Sequence, residues 1–100
     1  MPTYVTLCRW TEQGIRTVED SLSRAAAYQQ AVEAAGGRVL SLYWTQGAYD
    51  LHLTTEWPDE ETAMAAALRL SRLGNVRTET LRAFGLTEMR RIFDRLAATG

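Results

Sequence analysis

Asp50 and His52 have the most chemistry available to them. They stand two residues apart in Gly47-Ala48-Tyr49-Asp50-Leu51-His52-Leu53-Thr54, and His52 is the only histidine in the chain. The stretch reads as a strand, in which successive side chains point to opposite faces. Tyr49, Leu51 and Leu53 then share an apolar face, and Asp50, His52 and Thr54 share a polar one. Along a strand the two residues lie about 6.6 Å apart. A carboxylate near an imidazole can orient the ring for proton transfer near neutral pH. The plainer reading makes both of them polar groups of an interface, because strand residues two apart seldom bond directly.

Cys8 is the only cysteine and lies on the first strand. A nucleophilic cysteine needs a nearby base or positive field, which His52 could supply if the strand registers align. Its plainer reading is a buried, small apolar residue. One histidine and one cysteine are sparse ligands, so no metal site is predicted. With no phosphate-cradling glycine loop, no haem, flavin or other cofactor is predicted. Arg69 and Arg72, with Arg90, Arg91 and Arg95, could form a local basic patch, but the acids around them favour a solvated surface.

The elements that must position these residues follow from periodicity. Residues 3–10 alternate as a first strand, with Val5 and Leu7 on one face and Tyr4, Thr6, Cys8 and Trp10 on the other. Residues 12–18 read equally as a short helical turn or a loop. Asp20 or Ser21 starts a helix to about residue 35, with Leu22, Ala25, Ala26, Gln29 and Val32 at helical spacing. Gly36-Gly37 ends it. Residues 38–45 form a second strand, and the short link at Gln46-Gly47 implies an antiparallel hairpin to a third strand ending at Glu56 or Trp57. Pro58-Asp59-Glu60-Glu61 opens a second helix with Ala63, Ala66, Ala67, Leu70 and Leu73 on its buried stripe. Gly74-Asn75 ends that helix. Val76 to Phe84 is a fourth strand, and Thr87 caps a last helix with a stripe of Met89, Ile92, Phe93 and Leu96.

Strand, helix, strand, strand, helix, strand and an added C-terminal helix is an α+β, ferredoxin-like βαββαβ order within one domain spanning 1–100. An antiparallel sheet with helices on one face is predicted, with the first and third strands central, side by side and parallel. The helix side is expected to take Val5, Leu7, Tyr49, Leu51 and Leu53, with Leu40 and Leu42. The opposite face then holds Tyr4, Cys8, Trp10, Tyr43, Asp50 and His52, which are the candidate ligand-binding residues. For the fourth strand, Thr78 and Thr80 or Glu79 and Leu81 fit that face equally. So large an aromatic patch calls for a cover. A second subunit packed sheet to sheet would supply it. The last helix folding back is the alternative.

Hydrophobic residues make up 46% and charged residues 23%, a balance that excludes disorder. The formal net charge of −1 gives no field toward nucleic acid or anionic lipid. No apolar run is long enough to span a membrane, and the first residues lack a signal-peptide pattern. The expectation is a cytoplasmic protein.

Several pieces together carry a family resemblance. They are Tyr4-Val5-Thr6-Leu7, Trp10-Thr11 with Gly14, Gly47 with Tyr49-Asp50, Pro58-Asp59-Glu60, and Leu73-Gly74-Asn75-Val76-Arg77-Thr78-Glu79-Thr80-Leu81-Arg82-Ala83-Phe84. In this order they resemble the GYD domain family, although Ala48 separates Gly47 from Tyr49-Asp50. The resemblance implies a ferredoxin-like fold and association through the sheet, as in dimeric α+β barrels, and implies no reaction. Three functional readings remain. One is a non-enzymatic homo-oligomer that encloses a small-molecule pocket between sheets. Another is a cofactor-free monooxygenase or isomerase using His52 with Asp50 or Tyr43. The third is a purely structural or regulatory interaction module.

Overall fold

The computed structural model describes residues 1–99. The elements run β1 (Thr3–Trp10), α1 (Glu12–Arg16), a 3-10 turn (Val18–Asp20), α2 (Ser21–Ala34), β2 (Arg38–Trp44), β3 (Leu51–Glu56), α3 (Glu60–Arg72), β4 (Val76–Ala83) and α4 (Leu86–Thr99). The sheet order is β2-β3-β1-β4, a four-stranded ferredoxin-like sheet. Every neighbouring pair is antiparallel. The expected parallel pairing of the first and third strands is thus corrected. After the β2–β3 hairpin reverses the chain, β3 must run opposite to β1.

Of residues 12–18, Glu12–Arg16 resolve as helix because Thr11 caps them. Its hydroxyl accepts from the Gly14 amide at 3.0 Å and donates to the Gly74 carbonyl at 2.6 Å. That ties the end of β1 to the end of α3. Gly14 is required by close approach, since a Cβ there would stand 1.9 Å from the Asn75 carbonyl oxygen.

The core lies between the sheet and the pair α2 and α3. Cys8, Leu51, Leu53 and Val76 form one buried group, and Val32, Trp57 and Ala66 form another. Directly paired residues of antiparallel strands share a face. Cys8 pairs with Leu51 and Thr6 with Leu53, so β1 turns Tyr4, Thr6, Cys8 and Trp10 toward the helices. Val5 and Leu7 face the other way, opposite to expectation. The clean alternation of β3 fixes its own face, and register carries β1 with it. Leu40 is the extra residue where the β2 register shifts, and it is exposed rather than covered. Leu42 does pack on the core.

α2 presents Ser21, Ala25, Tyr28 and Val32 inward, while Leu22 of the expected stripe is 70% exposed. α3 buries Ala66 and half-buries Ala63, Ala67 and Leu70, but leaves Leu73 exposed. Asp59 caps α3, accepting from the Thr62 amide at 2.8 Å. α4 buries no residue, and Ile92, Phe93 and Leu96 of its stripe are exposed. It therefore does not fold back as a cover. The shortest extent of the molecule is 19 Å, the thickness of one sheet and one helix layer.

Candidate functional site

The uncovered face is read row by row from the strand registers. One row across the sheet is Tyr43, His52, Leu7 and Glu79. The next is Ser41, Thr54, Val5 and Leu81. β4 therefore contributes Glu79 and Leu81 here, and Thr78 lies under the helix layer opposite Cys8. Tyr43 is 65% exposed and Leu81 47% exposed, while Val5 and Leu7 are half-buried. The middle of the face is apolar and its edge is mixed in charge.

Tyr49 lies outside β3, which begins at Leu51. Its expected place in the core is corrected. Gly47 at φ +109° turns the chain, and the Thr45 hydroxyl donates to the Tyr49 carbonyl at 2.6 Å. The Tyr49 ring reaches over the uncovered face instead. Its hydroxyl donates to Glu79 Oε2, and the Arg9 guanidinium stands 4.5 Å from its ring centroid. His52 meets the same ring edge-on at 6.1 Å. The bond to Glu79 holds the Tyr49 hydroxyl above its usual pKa. Arg9 is itself fixed by donating Nε–H to the Ala48 carbonyl at 2.8 Å.

The six candidate residues are therefore divided. Tyr43 and His52 lie on the uncovered face. Tyr4, Cys8 and Trp10 lie beneath the helices, so the expected single patch does not form. The Arg82 guanidinium lies 5.7 Å from the Tyr4 ring. Burial pushes the Cys8 thiol up to about 11, so it is protonated at neutral pH. Asp50 serves the backbone, its Oδ2 accepting from the Trp10 amide at 2.8 Å. It does not orient His52, which packs against Tyr49.

Arg9, Arg24 and Tyr28 were not among the residues expected at a site. Ser21, Arg24 and Tyr28 recur at helical spacing, a signal hidden by the alanines between them and by the conspicuous Leu22. Among the described residues, no group of three or more His, Cys, Asp and Glu is placed to hold a metal ion. Among the same residues, no helix is long and apolar enough to cross a membrane.

Two comparisons bear on this geometry. A protein of Thermus thermophilus, named a glutamine synthetase and cystathionine beta-lyase binding protein, is 32% identical over 90 residues. The match covers 89% of this chain and 95% of that relative. The pattern described as the GYD domain matches residues 4–93. With the ferredoxin-like sheet and nearly the whole chain inside that match, the protein belongs to the GYD domain family.

Proposed function

We propose that the protein is a non-catalytic, self-associating binding module that acts by holding other proteins. The observation that carries this reading is the uncovered sheet face, where Val5 and Leu7 sit between Tyr43, His52 and Leu81 with no layer above them. Four strands about 4.8 Å apart and six to eight residues long give a face of roughly 20 by 20–27 Å. Before side-chain relief is counted, that is about half to two-thirds of the ~800 Å² per partner of a stable interface. The rim carries Arg9 and Arg77 beside Glu79 and Glu56, so a two-fold partner can set each charge against its opposite. Tyr43 and His52 are the candidates that would meet a small molecule enclosed between the sheets.

The enzyme reading uses His52 for proton transfer, assisted by Asp50 or by Tyr43, which is its cross-strand partner on the uncovered face. Asp50 is engaged by the Trp10 amide, and Cys8 lies beneath the helix layer with its thiol protonated. The likeness to a relative named for binding two other proteins supports a protein partner for this chain.

Sedimentation velocity of the purified protein, alone and with purified glutamine synthetase, tests the proposal. The expected result is an assembly larger than a monomer that co-sediments with the synthetase. A monomer that leaves the synthetase boundary unchanged would overturn it.

A further inference from the structure

The helix-covered side of the sheet is not filled. Between α2 and α3 a cleft of about 550 Å³ reaches down to the sheet. That volume is in the range of small-molecule sites. Cys8, Leu51, Leu53 and Val76 make its floor, and Tyr28 and Leu70 join its walls.

The two ends of the cleft differ. Val32, Trp57 and Ala66 make one end apolar. Arg24, Arg69 and Arg72 line the other. The topology gathers these three, because α2 begins and α3 ends at the edge where Trp10 pairs with Val76 and the Thr11 amide bonds the Asn75 carbonyl. Among the described lining residues there is no Asp or Glu, and none of the three arginines is ion-paired among the described residues.

Arg69 and Arg72 lie in the last turn of α3, where cations ordinarily complement the helix dipole. Arg24 has no such use. It lies in the first turn of α2, where the dipole disfavours a cation. It is held there by donating to the Thr17 hydroxyl at 2.9 Å and the Gly14 carbonyl at 3.4 Å, with its guanidinium 5.8 Å from the Trp10 ring. Cys8 in the floor and Tyr28 in the wall are uncharged at neutral pH, since burial pushes the thiol up to about 11 and the hydroxyl up to about 12.

We propose that this cleft binds a small amphipathic carboxylate, an acyl or aryl acid. Its apolar body lies over Cys8 toward Val32 and Trp57, and its carboxylate sits among Arg24, Arg69 and Arg72. Charge decides against the rival occupant, the α4 helix of a second copy. α4 carries Arg90, Arg91 and Arg95 against Glu88 and Asp94, so it would bring net positive charge to an arginine-lined mouth.

The test is isothermal titration of the full chain with decanoate and with decanol, together with amide chemical-shift mapping. Decanoate is expected to bind at least about tenfold tighter than decanol, as one charge-assisted contact allows. Arg24→Gln weakens decanoate by about tenfold and leaves decanol unchanged. The shifts centre on Cys8, Tyr28 and Val32. The double variant Arg69→Gln/Arg72→Gln, on the exposed side of α3, gives the same discrimination if Arg24→Gln fails to fold. Equal affinities for acid and alcohol, indifference to these arginines, or shifts confined to Val5, Leu7 and His52 would each overturn the proposal. So would decanoate binding that appears only after Phe93→Ser, because α4 would then be the occupant.

Discussion

Replacing Asp50 by alanine separates a structural role from a catalytic one. Its carboxylate accepts the Trp10 amide at 2.8 Å, its own amide donates to the Cys8 carbonyl at 2.8 Å, and its carbonyl accepts from the Thr45 amide at 2.8 Å. The residue thereby fastens the turn after β2 to the end of β1. Asp50→Ala removes only the first of these bonds. A hydrogen bond to a charged group contributes roughly 1.5–3 kcal/mol. The site is half-buried and water can partly replace the acceptor, so we expect the lower part of that range, about 1.5–2 kcal/mol. For a domain of this size each kcal/mol moves Tm by roughly 4–8 °C, so the melting point falls by about 6–16 °C. Asp50→Asn keeps an acceptor oxygen and a neutral bond, and loses about half as much. Thermal and urea unfolding by circular dichroism, at one fixed protein concentration, measures both variants. If Asp50→Ala melts with the wild type, or Asp50→Asn costs as much as Asp50→Ala, the reasoning is wrong.

Three further outcomes are expected. Gly14→Ala places a Cβ 1.9 Å from the Asn75 carbonyl oxygen, a backbone atom that cannot rotate away. It should cost about 3 kcal/mol or prevent folding, as read by urea unfolding. Stability should fall above pH 9, because unfolded Cys8 releases its proton near 9.0 while the folded thiol holds it to about 11. Each such group contributes at most about 1.4 kcal/mol per pH unit, and nothing below pH 8. Tyr28 adds its share between 10.0 and about 12. Urea midpoints at pH 8, 9 and 10 should decline, and Cys8→Ala should flatten the step from 9 to 10. Lastly, His52→Ala should leave the melting point of the isolated fold nearly unchanged, since His52 is half-exposed and its contact is the edge of Tyr49. A loss as large as that of Asp50→Ala would show that the ring supports the sheet.

Much of the fold was legible because several signals agreed. β3 alternates without exception, Asp59 precedes a helical stripe, and Gly36 and Gly74 stand at helix ends with positive φ. The face of β1 was not legible. Val5 and Leu7 on one side compete with Tyr4, Cys8 and Trp10 on the other, and only pairing with Leu51 and Leu53 decides between them. A one-residue choice of face moved three of the six candidate residues from the uncovered side to beneath the helices, two of them, Cys8 and Trp10, into the cleft. Tyr49 was misplaced because an alternating pattern ran on into a turn that Gly47 and Thr45 form. The cleft itself could not be read, since it depends on how far apart two alanine-rich helices settle on the sheet. Arg69 and Arg72 read in the sequence as part of a solvated surface, Arg24 carried no signal, and only the fold brings the three together.

Self-association is proposed to run through the uncovered sheet face. Leu7 stands at its centre between His52 and Glu79. Leu7→Lys sets a cation opposite Glu79 within the chain, which preserves the fold, and sets two cations against each other across a two-fold axis. Light scattering of both proteins over a wide concentration range is the most direct measurement. The expected result is a dimer or larger for the wild type and a folded monomer for Leu7→Lys. A wild type that stays monomeric at every concentration, or a Leu7→Lys variant that assembles as well as the wild type, would contradict it.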